Sequence, residues 1–490
     1  MVDLTLLTEM LDSNFEWLAV RGNGAALPVR RDEIAVDAKG ERVLISFPTD
    51  AGFRTMRVVA VETDGAEIEM SLKGEFGRGA EEIRWVPRET AAAMAADIEA
   101  ARLVKASETA ASVAAVLDAA KTVKISLNAY NSRLAQIIIA RRGGEQFAVL
   151  TDVTETLSHE TLLASAFGWL RKLELRKKNP IDAVHIAVIT RQARALRKLL
   201  GTLSIKYKRR IAVIELKDRD PDARARIMTV PDLSDLWREK PAKLRLPAKI
   251  EISGSADEVI LHAPDKIDVI LSGRGETLRF RGLPFARVRT LMGTERAWFG
   301  LGRERRPLTE ETQDAYYDLL DKLHRYRDPH PPDRRHELFR LAPEAWLESI
   351  LRRNITLLDP NLVLSPIYNQ FRTSAEKIDL LALRNDGRLV IIELKCSPDR
   401  ETVFQAADYW RKIELQRRKG ELAKAGLFEG REILDRPALV YIVAPALSFH
   451  RDFETFARML APEIEMWRWE LHEDWRENLK VVGRQRFDTR

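Results

Sequence analysis

Short β-branched runs at 43–47, 57–61 and 67–72 predict strands, and Asp64-Gly65 between the last two is a hairpin turn signal. Residues 90–120 are Ala-rich without Gly or Pro and predict a helix. Strand-like runs return at 133–140 and 146–150. A helix at 160–177, a strand at 184–189, a helix at 192–200 and a strand at 211–216 follow. The stretch 218–247 is charged and Pro-containing and reads as a boundary. Beyond it, 249–252, 259–262, 267–271 and 277–281 again read as short strands. Residues 328–335, with three prolines, have the composition of a linker. From about 341 to 472 the pattern is α/β, and the last fifteen or so residues are polar and expected to fray. The expected class is α/β and β multidomain. Its parts are a β-rich domain with the Ala-rich helix (1–105), an α/β domain (106–217), a linker and β-rich domain (218–335), a second α/β domain (336–475) and a polar tail (476–490).

Composition narrows this picture. The chain has 490 residues, 45% of them hydrophobic, which excludes wholesale disorder and is too long for one ordinary domain. One cysteine, Cys396, excludes a disulfide scaffold or a Cys-based zinc cluster and points to a reducing compartment. No apolar run approaches the ~20 residues of a membrane helix, and Met1-Val2-Asp3-Leu4 lacks a basic leader. The expectation is a cytoplasmic protein with no membrane partner. The net charge is only +6, but cations cluster at 171–172, 176–178, 206–210, 411–412 and 417–419. Such runs attract phosphate backbones, though any single run reads first as a solvated helix end or loop, and what favours function is that two of them follow similar helices in two similar stretches.

The segment 376–395 carries the chemistry. Two apolar runs flank Asn385-Asp386-Gly387, the signature of a three-residue hairpin loop with Gly387 in the left-handed position. If Arg384 faces Arg388, Asp379 faces Glu393, and Lys395 shares the face of Glu393. Two facing carboxylates repel unless a cation lies between them. A hard divalent ion, Mg²⁺ (or Mn²⁺), suits carboxylate oxygens, and with a neighbouring lysine this is apparatus for phosphodiester hydrolysis. Ser397-Pro398 is expected to open a helix on which Gln405 and Tyr409 share a face. Upstream, 343–353 reads as a helix with Leu347, Ile350 and Leu351 inward and Glu344 and Glu348 together on another face.

Asp379…Glu393-x-Lys395 with Gln405-x-x-x-Tyr409 resembles the core of the PD-(D/E)xK nuclease superfamily, and is similar to the C-terminal domain of NucS-type endonucleases over roughly 340–475. The resemblance implies a restriction-endonuclease-like α/β core in that part. It also implies that Asp379, Glu393 and the Leu394 carbonyl hold the metal and that Lys395 positions the attacking water. Glu348 would be a supporting acid, and Gln405 and Tyr409 would orient Lys395 or the phosphate. Tyr409, Arg411 and Lys412 are expected to bind substrate. One departure is that Ile378, not Pro, precedes Asp379.

The middle of the chain echoes this pattern. With an offset of 241, Glu393 falls on Asp152, Lys395 on Thr154, Gln405 on Ala164 and Trp410 on Trp169, while Asp379 falls at about Gln136. This predicts a degenerate nuclease-like copy at about 106–217, kept for binding or assembly. Two copies would let a monomer mimic a dimer, with a homodimer left open. Glu215-x-Lys217 and the histidines 324, 330 and 336 are set aside as sites for want of partners, and Trp410 is singled out for base stacking. The leading reading is a Mg²⁺-dependent endonuclease-type hydrolase acting on nucleic acid, DNA ahead of RNA. The competing readings are a non-catalytic nucleic-acid-binding protein and an assembly subunit.

Overall fold

The computed structural model describes residues 3–487 apart from 22–25, 41, 50–51, 75–79, 89–90, 120, 130–132, 218–224, 242–250, 274, 292–293, 303, 366–377 and 429. The described chain is mixed α/β with four β-sheets and divides into two compact units, 1–105 and 106–490.

In the first unit, helix α1 (Leu4–Asp12) starts at Asp3, whose carboxylate accepts from the amides of Thr5 and Leu6. Strands β1 (Glu16–Arg21), β2 (Ala26–Arg30), β3 (Ala35–Lys39), β4 (Arg42–Thr49), β5 (Gly52–Asp64), β6 (Glu67–Lys73) and β7 (Ala80–Pro87) form an antiparallel sheet in the order β2-β1-β7-β6-β5-β4-β3. The expected Asp64-Gly65 turn joins β5 to β6, with Asp64 opposite Glu67 and Gly65 at φ +62°. Alternate residues of these strands, among them Trp17, Ile45, Phe47 and Trp85, bury one face of the sheet against Leu7 and Leu11. Helix α2 (Ala91–Val116) runs through the boundary between the units.

The second unit opens with β8 (Lys121–Ala129), β9 (Leu134–Ala140), β10 (Gln146–Asp152), β11 (Val184–Ile189), β12 (Ile211–Leu216) and β13 (Arg226–Met228), which lie side by side in chain order. Helices α3 (His159–Glu174), α4 (Thr190–Leu200), α5 (Ile205–Lys208) and α6 (Leu233–Leu236) accompany them. After α7 (Gly254–Leu261) comes an antiparallel meander of β14 (Ile267–Ser272), β15 (Gly275–Phe280), β16 (Leu283–Leu291), β17 (Thr294–Phe299) and β18 (Arg306–Pro307). Helices α8 (Gln313–Tyr326), α9 (Glu337–Arg340) and α10 (Pro343–Arg353) lead to the last sheet. That sheet holds β19 (Leu362–Leu364), β20 (Leu380–Arg384), β21 (Leu389–Leu394), β22 (Leu439–Pro445), β23 (Glu465–Leu471) and β24 (Val481–Phe487), again in chain order. With it go α11 (Thr402–Arg418), α12 (Glu421–Lys424) and α13 (Phe453–Ala457).

The two six-stranded sheets share one topology. In each, the first two neighbour pairs are antiparallel, the next two parallel and the last antiparallel. In both, a helix crosses between the third and fourth strands, since parallel neighbours need a crossover connection. The copies pack on each other through one apolar core, in which Phe167 and Leu170 of α3 meet Phe404 and Trp410 of α11 and Phe456 of α13. Leu203 and Leu460, just after α4 and α13, form an antiparallel bridge, with Ser204 N donating to Met459 O at 2.9 Å and Ala461 N to Thr202 O at 2.8 Å. Equivalent segments thus pair with each other, the self-complementary contact of a two-fold dimer.

Several expectations change. Residues 259–261 belong to helix α7 and His262 is its C-cap, because the Ser253 side chain caps the first turn and Ala256, Val259 and Ala263 recur at helical spacing. Residues 249–250 lie outside the described residues. The tail expected to fray contains β24, which pairs with β23 from Phe487↔Met466 onward. The 328–335 stretch is held at both ends rather than acting as a free linker. On one side Arg327, fully buried, donates to the carbonyls of Phe280, Arg281, Leu338, Leu341 and Ala342. Burial without a carboxylate lowers its pKa to about 9. On the other, His336 stacks on Tyr326 with ring centroids 3.7 Å apart and caps Leu338 N.

Candidate active site

Strand β21 is central in its sheet, and every residue of it is buried, so charge is tolerated only at its ends. The hairpin expected from the sequence is present: Leu380 faces Ile392, Ala382 faces Val390 and Leu383 faces Leu389. Gly387 takes φ +83° and donates to Arg384 O at 2.8 Å. The Asp386 carboxylate grips Arg384 and accepts from Arg388 N at 3.1 Å, holding its own pKa down at about 2. One further step of this register sets Asp379 opposite Glu393, at the carboxyl end of the parallel strands. Ligand crevices of open α/β sheets lie at such ends.

Asp379 Oδ2 accepts from Leu394 N at 2.9 Å, which fixes the carboxylate against the strand end. Glu393 is 4% exposed, and its Oε2 has no hydrogen-bond partner among the described residues. Burial, and then the charge of Asp379, raises its pKa well above the usual carboxylate range. Lys395 Nζ stands 3.2 Å from Glu393 Oε1 and 2.9 Å from Asp399 Oδ2, and donates to Gln405 Oε1 at 2.9 Å. Burial works against its charge, but Glu393 and Asp399 outweigh it and raise its pKa, so Lys395 is a cation. Tyr409, one turn beyond Gln405 on α11, is kept protonated by burial and by the nearby Glu393 and Asp379.

Other expected residues lie elsewhere or serve otherwise. Glu348 is buried in an ion-pair cluster, 3.2 Å from Arg279 and 3.9 Å from Arg352. One turn earlier, Glu344 Oε1 instead accepts from Cys396 N at 3.1 Å, beside the hairpin end. Arg411 is 8% exposed and binds Asp408 Oδ1 at 2.7 Å, and Lys412 lies 3.2 Å from Asp408 Oδ2. Arg411 is therefore an internal counter-ion rather than an open substrate contact. Trp410, offered as a stacking platform, is core: it is fully buried and donates to Ala438 O at 2.9 Å. Helix α11 begins at Thr402, not at Pro398, because Asp399 turns its carboxylate to Lys395 and to Glu401 N. Asp399 is the site acid that sequence reasoning passed over, and Glu344 rather than Glu348 is the α10 acid beside the hairpin end. The signal for Asp399 was its spacing four residues after Lys395.

The first copy lacks this arrangement. Asp152 faces Leu134, while Gln136 faces Leu150, so Asp152 and Gln136 do not pair as expected. Neither pair holds two acids. The Asp152 carboxylate is consumed locally: it accepts from Thr154 N (2.9 Å), Thr154 Oγ1 (2.8 Å), Leu157 N (2.7 Å) and Gln192 Nε2 (2.8 Å). Glu215 is likewise engaged by Arg226.

A divalent cation fits the second copy's donor set. Asp379 lies close enough to Glu393 for its charge to act on that carboxylate, one oxygen of which is buried without a hydrogen-bond partner among the described residues, and hard cations prefer oxygen and retain water. Among the described residues no set of three side-chain ligands that includes Asp379 and Glu393 lies within 4.8 Å. The Leu394 carbonyl and water would therefore complete the shell. His159, Glu160 and Asp408 do form a cluster within 4.8 Å of one another, but Arg411 and Lys412 already neutralise Asp408. No protein-family model, no curated protein and no solved structure matches this chain.

Proposed function

We propose that the chain is a metal-dependent nuclease of the PD-(D/E)xK kind. Asp379, Glu393 and the Leu394 carbonyl would hold Mg²⁺ or Mn²⁺, and a restriction-endonuclease-like core would present them to DNA. The observation that carries this reading is the buried Glu393 Oε2, which has no hydrogen-bond partner among the described residues, in a carboxylate that feels the charge of Asp379 and is paired with Lys395 through its other oxygen. An ordinary structural acid pair would be satisfied by donors, as Asp152 is in the first copy.

When bound, the ion polarises the phosphate and offsets its charge. The protein supplies positioning. Lys395, held by Gln405, Glu393 and Asp399, is a donor rather than a base. It orients the oxygen of the attacking water and counters charge building on the phosphate. Water adds to phosphorus, the bridging P–O bond breaks, and the departing oxygen ends as a hydroxyl. Tyr409 offers a neutral hydroxyl next to Gln405. The test is cleavage of single-stranded, branched and duplex DNA with Mg²⁺ or Mn²⁺ by the wild type, Asp379→Ala and Lys395→Ala. Loss in both variants is expected, and equal cleavage by all three ends the reading. Salt-sensitive binding without cleavage would favour a non-catalytic nucleic-acid-binding protein.

A further inference from the structure

A cleft of about 440 Å³ opens between the two copies, walled by α4 of the first and α11 of the second. Arg191, Arg194 and Lys198 line it from α4, Lys240 from the segment after α6, and Arg411 and Lys412 from α11. On α4 the three cations are spaced i, i+3 and i+7 and so share one face, while Leu196, Leu199 and Leu200 are buried in the shared core. The lining carboxylates are already paired: Glu239 with Lys198 at 2.7 Å, and Asp408 with Arg411 and Lys412. Arg191, Arg194 and Lys240 are exposed, and they form no salt bridge within 4.0 Å among the described residues.

Like charges gathered from three segments repel, and the arrangement gains from a polyanion. The matching helix of the catalytic copy, α13, reads Phe453-Glu454-Thr455-Phe456-Ala457 and has no cation. The basic face therefore belongs to the copy that lacks the acid pair. Along α11, Gln405 and Lys412 are seven residues apart, about 10 Å of helix, and Tyr409 lies between them beside Asp408.

We propose that this cleft binds consecutive backbone phosphates of the nucleic-acid strand and leads it to the Lys395 centre. The degenerate copy thus supplies the phosphate-gripping wall of a site whose chemistry lies in the other copy. The proposal deepens the nuclease reading and rests on it for the strand's destination, but it is read out by binding.

The experiment measures affinity of the full-length chain for a fluorescent single-stranded DNA oligonucleotide across a salt series in EDTA, alongside cleavage with Mg²⁺. Arg191→Ala with Arg194→Ala should weaken binding on the order of tenfold near 0.1 M salt and flatten the log–log salt slope by about 1.4, because each of the two phosphates no longer neutralised accounts for ~0.7. Arg191→Lys with Arg194→Lys should keep the wild-type slope. Lys121→Ala with Lys124→Ala, two exposed charges on β8, should leave the slope unchanged. Cleft-dependent binding without cleavage would uphold this proposal and end the nuclease reading. Cleavage with an unchanged slope in the alanine pair would overturn the proposal and leave that reading standing. An equal loss from the β8 pair, or no binding at all, would also overturn it.

Discussion

Replacing Glu393 with Gln separates a binding site from a structural acid pair, because the two readings predict opposite signs of stability change. In the metal-free protein Glu393 is fully buried beside Asp379, with Lys395 on one oxygen and no hydrogen-bond partner on the other among the described residues. Burial, then Asp379, pushes its pKa from 4.5 up to about 8. The folded state therefore binds a proton that the unfolded state releases, and stability falls as pH rises between those values. At 1.36 kcal/mol per unit the ceiling above pH 8 is about 5 kcal/mol. Movement of the hairpin end and entry of water recover part of it, leaving about 1–3 kcal/mol as the working cost. A glutamine carries no charge, its carbonyl still accepts from Lys395, and its amide donates toward Asp379. Glu393→Gln should then melt higher than wild type by about 1–4 °C at pH 9 in EDTA, using the entropy expected for a unit of this size. The difference should vanish near pH 5, where wild-type Glu393 is protonated. Adding Mg²⁺ at a hundredfold its Kd should stabilise the wild type by about 2.7 kcal/mol and leave the variant unmoved. Thermal melts at pH 5, 7 and 9 with and without Mg²⁺ decide it. A variant less stable than wild type at pH 9 in EDTA, or stabilised equally by Mg²⁺, would refute the reasoning.

Three further outcomes follow from the geometry. Asp379→Asn should keep the hairpin, since an amide oxygen can still accept from Leu394 N, while abolishing cleavage and Mg²⁺-dependent stabilisation; a Mg²⁺ titration of the melting temperature reads this out. Arg279→Met should cost about 3 kcal/mol in urea unfolding, because Asp268 (2.7 Å) and Glu348 (3.2 Å) would lose their closest counter-ion and keep only Arg352, at 3.7 and 3.9 Å. A fragment of residues 254–490 should aggregate or lack a cooperative melt, since Phe404, Trp410 and Phe456 lose the α3 side of their core; a monodisperse fragment with the full chain's melting temperature would contradict this.

The register of the 379–395 hairpin was legible because a three-residue loop with glycine at its third position leaves little freedom, and period-two alternation does the rest. The first copy's register was miscounted for a physical reason. Counting back from α3 puts Asp152 in the place of Glu393, but β10 runs seven residues from the turn residue Glu145 to Asp152, against five from Arg388 to Glu393. Turn and helix therefore give registers two residues apart. Glu344 and Glu348 could not be told apart, since both sit on one face of α10. What separates them is Arg279, which comes from the meander some 70 residues away. Trp410 was misread because α11 is packed on two sides, by its own sheet and by α3 and α4. Its burial of Asp408, Arg411 and Glu414 leaves no clean amphipathic stripe. Strands β13 and β24 are edge strands, short or largely exposed, and carry little apolar signal.

The first copy keeps its place in the fold without a facing pair of acids. Asp152 turns inward and ties the 153–157 turn to Gln192 on α4 through four hydrogen bonds. Gln192 is 5% exposed, so this contact sets α4 from the inside, and its neighbours Arg191 and Arg194 then face outward by helical geometry alone. On its other side the same copy seals α11, the helix from which Gln405 holds Lys395. An acid that faces leucine instead of a second acid has no reason to bind a cation, and here it orders the wall against which the other copy's site is built.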